Sequence, residues 1–175
     1  KDFTCEVKDI DEKGIVTMYV NAFNNLDAAR EISMPGSFKK TIKENFKRIK
    51  HLYNHDRTLL IGAPLELKED SFGLLVRSAM NLEKQMVKDI YSDYRFMAEH
   101  KRTLEHSIGY NLIKWSYDKT TDTQKNLEYQ LFEYSTLSFL GCNESTPMVD
   151  LKNIENIEEN INTLEQMLKG QYSDE

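Results

Sequence analysis

Two spacings of apolar residues alternate along this chain, one of two residues and one of three to four. In "TLEHSIGYNLIKW" (103–115) the period is two: Leu104, His106, Ile108, Tyr110 and Leu112 fall on one face, and Glu105, Ser107, Gly109 and Asn111 on the other. The same strand-like pattern marks 14–23 ("GIVTMYVNAF") and 71–82 ("SFGLLVRSAMNL"). The segment "KHLYNHDRTLLIG" reads as a short strand, a polar turn and a second strand running to about Leu67. Residues 3–9 make a further candidate strand, and 126–142 makes a long one that follows 103–117 across the loop "DKTTDTQKN". After Pro35 and Gly36 the spacing becomes helical, through Phe38, Ile42, Phe46 and Ile49. It does so again from Glu83 to about Lys101, where Met86, Ile90, Tyr94 and Met97 form one stripe. These elements predict a mainly β, α+β chain with peripheral helices, arranged as a small antiparallel β-barrel that is closed or nearly so.

The last stretch differs in kind. In "NIENIEENINTLEQMLKG" the residues Ile154, Ile157, Ile161, Leu164 and Leu168 keep a 3-4-3-4 spacing, and Gly170 suits a helix stop. The division expected is a domain over 1–150 and a helical tail over 151–175. The tail packs on its own domain or docks on another chain; two heptads do not choose between these.

Composition narrows the classes. A 175-residue chain is long enough for one domain with a real core, and 39% hydrophobic with 30% charged residues is ordinary for a globular protein. A net charge of −6 argues against nucleic-acid binding, which needs a basic surface. No apolar run approaches the roughly 20 residues of a membrane helix, and the charged start does not read as a signal peptide. Cys5 and Cys142 form neither a metal spacing nor a disulfide framework, so a reducing cytoplasm is expected.

Candidate chemistry rests on few residues. The four histidines, His51, His55, His100 and His106, show no H-E-x-x-H spacing, and no phosphate or dinucleotide loop is present. The expectation is therefore no metal and no cofactor, with any catalysis carried by bare side chains such as a serine–histidine pair. Ser107 shares its face with Gly109, and a glycine inside a strand marks either a barrel corner or a close approach by a ligand or backbone. His106 points away from Ser107, and His100 sits by a helix end where it can meet the last carbonyls. His55 stands at a strand end before a polar turn, with His51 on the same face if that segment is extended. In "NLEYQLFEYSTLSFLG" Glu133 falls among Tyr129, Leu131 and Leu137; either it answers a buried partner, or a bulge turns it outward.

Taken in order, "YNHDRTLLIGAPLELKEDSFGLLV", "EHSIGYNL" and "LFEYSTLSFLG" resemble the prohead maturation proteases of tailed bacteriophages. These are distant relatives of the assemblins, the herpesvirus capsid maturation proteases. The upstream "GIVTMYVNAFNNLD" and "ISMPGSFKKTI" are similar to that family's opening, so the likeness covers roughly residues 12 to 150. It implies an assemblin-type barrel and a serine endopeptidase acting through an acyl-enzyme, with Ser107 as nucleophile, His55 as base and Glu133 as the third member. On this reading Gly109 clears room for a peptide carbonyl beside Ser107. The implied substrates are the phage scaffolding protein and the major capsid protein precursor, cleaved inside the procapsid in the host bacterial cytoplasm. The tail would support self-association, and no nucleic-acid or membrane partner is implied. Two departures stand out: His106 where a small residue often precedes the serine, and "GCNESTP" where a proline-containing loop usually follows the last strand. The alternatives are a non-catalytic capsid-assembly protein that keeps the fold and, from composition alone, a β-rich binding module.

Overall fold

The computed structural model describes residues 14–143, 145, 146 and 148. Seven strands and two helices follow in the order β1 (Ile15–Ala22), β2 (Glu31–Ser33), α1 (Lys39–Asn45), β3 (Lys50–Tyr53), β4 (Asp56–Glu69), β5 (Gly73–Met80), α2 (Gln85–Glu99), β6 (Glu105–Asp118) and β7 (Thr123–Leu137). Val16, Met18 and Val20 of β1 are buried at every second position, as are Leu74, Val76, Ser78 and Met80 along β5 after its first buried residue, Gly73. On α2 the buried residues Val87, Ile90, Tyr91, Tyr94 and Ala98 recur every three or four positions. Both periods therefore point into one core, which Phe38, Ile61, Leu131 and Tyr134 complete. The candidate strand at 3–9 and the tail at 151–175 lie outside the described residues. Among those described, no helix is long and apolar enough to cross a membrane.

The strands make one sheet in the order β1-β5-β4-β3-β7-β2, with β6 also paired to β7, and it curls into a half-barrel. The predicted mainly β architecture with two helices is present, but the pairing is mixed rather than purely antiparallel. β7 takes β6 antiparallel on one edge, and on the other it takes β3 and β2 parallel, at Lys50–Tyr53 against 133–136 and Glu31–Ser33 against 124–126. Parallel neighbours need a long crossover, and here the chain between β3 and β7 supplies it.

The β6–β7 hairpin is bent by bulges. Gly109 pairs with Glu133 but Tyr110 pairs with Leu131, which leaves Phe132 without an opposite residue. Further along, Ile113 and Leu127 are left over in the same way. Phe132, Ile113 and Leu127 are 46%, 44% and 45% exposed, so each of these bulge residues turns an apolar side chain out of the core.

Candidate active site

Alternation along β6 holds in the folded chain. His106 is fully buried, Ile108, Tyr110 and Leu112 pack against the core, and Ser107 and Gly109 face the other way. Cross-strand pairing brings Ser135 opposite Ser107 and Glu133 opposite Gly109 on that outer face. The Phe132 bulge is what places Glu133 there. Tyr129 and Leu131 before it are buried; after it the buried inner positions become Tyr134 and Thr136, and Glu133 moves out of the core. Neither reading of Glu133 drawn from the sequence holds whole. The bulge moves it off the core face, yet its side chain is only 13% exposed rather than turned to solvent, and it has a partner that is partly exposed rather than buried.

That partner is His55. Tyr53 pairs with Asp56, so Asn54 and His55 are the two central residues of the β3–β4 hairpin turn. Their φ values are +54° and +58°, the left-handed pair that a two-residue type I′ turn requires. Asparagine suits that conformation; histidine adopts it less often and must be held there. The turn is fastened to the end of β7. The Asn54 N–H donates to the Thr136 carbonyl at 2.9 Å, and the Asn54 side chain exchanges hydrogen bonds with Ser138 at 2.9 and 3.0 Å. The His55 N–H donates to Ser135 Oγ at 3.1 Å.

So held, the imidazole meets the carboxylate. His55 Nδ1 lies 2.7 Å from Glu133 Oε1, with the His55 side chain 38% and the Glu133 side chain 13% exposed. A neutral imidazole must donate from Nδ1 to the carboxylate, which leaves Nε2 as a free acceptor. The hydrogen bond donated to Glu133 raises the His55 pKa above its ordinary value, and the carboxylate charge adds to this against partial desolvation. The second carboxylate oxygen, Oε2, accepts from Ser135 Oγ at 2.8 Å. Among the described residues no hydrogen bond joins the Ser107 hydroxyl to the imidazole. Nucleophile and base are often loosely apposed in a site without substrate.

Gly109 has a role different from the one read from the sequence. A Cβ at this position would stand 2.1 Å from Glu133 Oε1 and 2.8 Å from Glu133 Cδ. The space it leaves is therefore filled by the carboxylate rather than kept open beside Ser107.

The other histidines are structural. His51 is fully buried, stacked on Tyr134, and bonded through Nδ1 to Ser78 and through Nε2 to Thr136. His106 is fully buried between Tyr94 and the Thr146 carbonyl. His100 ends α2, where Nδ1 donates to the Phe96 carbonyl at 2.7 Å. No cluster of three or more metal-ligating side chains occurs among the described residues.

The family model described as the Caudovirus prohead serine protease matches residues 3–160. The chain belongs to this family. It is also 27% identical over 150 residues, 84% of its own length, to the protein of Enterobacteria phage HK97 named "Prohead protease", of which it spans 64%. Sequence reasoning missed two residues of the candidate site, Asn54 and Ser135. Both left a signal. Asparagine ahead of a polar turn is the residue that favours positive φ, and Ser135 lies two positions beyond Glu133, on the same face of a strand.

Proposed function

We propose that this chain is a serine endopeptidase that cleaves capsid-related precursor proteins during procapsid maturation, with Ser107, His55 and Glu133 as its catalytic triad. The observation that carries the reading is the 2.7 Å contact between His55 Nδ1 and Glu133 Oε1, on the sheet face that Ser107 shares. Glu133 holds the imidazole in the tautomer whose Nε2 can accept a proton, and it stabilises the imidazolium that then forms. As the Ser107 Oγ attacks the scissile carbonyl carbon, its proton passes to His55 Nε2. The same proton goes to the amide nitrogen as the C–N bond breaks, leaving an acyl-enzyme on Ser107. Water, activated by the same imidazole, then attacks the ester and frees the serine. No metal or cofactor enters these steps.

The family supports capsid-related substrates, and the specific pair we propose is the phage scaffolding protein and the major capsid protein precursor. The relative's name, "Prohead protease", supports action inside the procapsid, hence in the host bacterial cytoplasm. The curled sheet with β6 and β7 at its centre of activity supports kinship with the assemblin barrel. We assign residues 1–150 to the protease domain and give 151–175 a docking role, including self-association.

The purified chain incubated with its capsid precursor should produce discrete cuts, mapped by mass spectrometry. Ser107→Ala should abolish them with little change in melting temperature, because a hydroxyl is replaced by a hydrogen on the same methylene. Processing by that variant at the parent rate would rule out the assigned nucleophile.

A further inference from the structure

We propose that Ser135 is a positioning residue of this site, a single buried hydroxyl that fixes the acid and the base relative to each other. The inference rests on the triad reading above and names how its geometry is kept. Ser135 lies on β7 opposite Ser107 and is completely buried, so its hydroxyl is not available to attack a substrate. Its one proton goes to Glu133 Oε2 at 2.8 Å, and its lone pair accepts the His55 backbone N–H at 3.1 Å. One oxygen atom therefore touches both the carboxylate and the main chain of the residue bearing the imidazole.

Each of these bonds removes a freedom that would otherwise loosen the pair. The terminal torsion of a glutamate is broad, so a carboxylate bound through one oxygen can rotate. Bound through both, with Oε1 on His55 and Oε2 on Ser135, the Glu133 carboxylate has one orientation. The second bond anchors a left-handed histidine whose backbone is otherwise costly to keep. Because the hydroxyl is buried, water does not compete for either bond. Packing alone does not explain a serine here, since alanine would fill the same backbone position while leaving an N–H and a carboxylate oxygen short of a partner.

The test uses the full chain and a peptide spanning a mapped precursor cut, with kcat and KM measured separately. Ser135→Ala should lower kcat by about 10- to 100-fold with KM within about twofold, the size of effect expected when a catalytic group is misplaced by an ångström or less. In the E133Q background the same change should cost clearly less than in the parent, because the part of its effect that runs through the carboxylate is gone and only the anchor on the His55 N–H remains. A side chain that served the fold alone would cost the same in both backgrounds. Ser135→Cys, which keeps the side chain's connectivity with a somewhat larger atom and offers only a weak donor, should behave as Ser135→Ala does. A kcat within twofold of the parent in either variant, equal losses in the two backgrounds, or failure of both variants to fold would overturn the assignment. S107A run alongside separates the two levels: if it cleaves normally the triad reading falls, and if it is inert while Ser135→Ala is fully active only this inference falls.

Discussion

At the scale of single residues, the site depends on one carboxylate being held in one place. Gly109 gives it room, Ser135 takes one oxygen and His55 takes the other. Gly109→Ala should therefore separate stability from activity. The added methyl meets Glu133 from Cγ to Oε1 rather than backbone, so Glu133 must swing aside and give up both its bonds, at a cost of roughly 1–3 kcal/mol. In swinging it leaves His55. We expect a modest fall of the unfolding midpoint in urea and a loss of turnover comparable to that of Glu133→Gln, which we place at roughly 10- to 1,000-fold. The pH profile gives an independent readout. In the proposed triad the base must be neutral, and Glu133 raises the His55 pKa, so kcat/KM should climb with pH through an apparent value above the usual 6.5. In Glu133→Gln the chief cause of the rise is removed while desolvation remains, so this limb should move to lower pH. An unmoved limb would mean that another group sets the base.

At the scale of elements, the histidine is presented by a turn and the acid by a bulge. Asn54 makes the turn possible in two ways, by accepting φ of +54° and by clamping Ser138. Asn54→Gly keeps the first and loses the second; Asn54→Ala loses both. The glycine variant should fold with a modest stability change but turn over more slowly, and alanine should cost a further 1–2 kcal/mol, about the penalty of a left-handed non-glycine residue, read by urea denaturation. Equal stability of the two would show that the clamp, rather than the backbone conformation, carries the turn. These elements also mark what the sequence made legible. The alternation along 103–115 put Ser107 and Gly109 on one face and His106 on the other, because that period is local. Glu133 among apolar neighbours announced that its charge needed a partner. The three-residue β2 and the parallel pairings of β7 left no such trace. Each is set by which strand lies alongside, and a short window of sequence does not contain that neighbour. What fills the space at Gly109 is hidden for the same reason, since the filling atom belongs to the facing strand.

At the scale of the whole molecule, the site face is backed by a polar chain running through the core. Tyr134 Oη donates to Ser78 Oγ at 2.7 Å, His51 links Ser78 to Thr136 at 2.9 and 2.8 Å, and Tyr94 links Thr136 to His106 at 2.7 Å each. At the far end His106 Nδ1 lies 2.7 Å from the Thr146 carbonyl, which can only accept. His106 must therefore donate from Nδ1 and accept at Nε2, and the remaining protons follow in one direction: Tyr134 to Ser78, Ser78 to His51 at 2.9 Å in preference to the Ala63 carbonyl at 3.2 Å, His51 to Thr136, Thr136 to Tyr94, Tyr94 to His106. Every link needs both imidazoles neutral. Desolvation agrees, holding the His106 pKa down at about 4 and that of His51 well below its usual value. In the unfolded chain both return to about 6.5, so between pH 4 and 6.5 the unfolded state binds more protons and stability falls as the pH falls. For His106 alone the span from 6.5 to about 4 corresponds to on the order of 3 kcal/mol. His55 opposes this, because its raised pKa makes it stabilising below 6.5 and that contribution is lost only as pH rises through the folded value; being 38% exposed, it is the weaker influence. The unfolding free energy from urea titrations should therefore drop between pH 6.5 and 4.5, while ¹⁵N shifts of His51 and His106 keep their neutral tautomers until the protein unfolds. A flat stability curve across that window, or an imidazolium signal from either residue in the folded state, would mean that the chain of protons is not the one traced here.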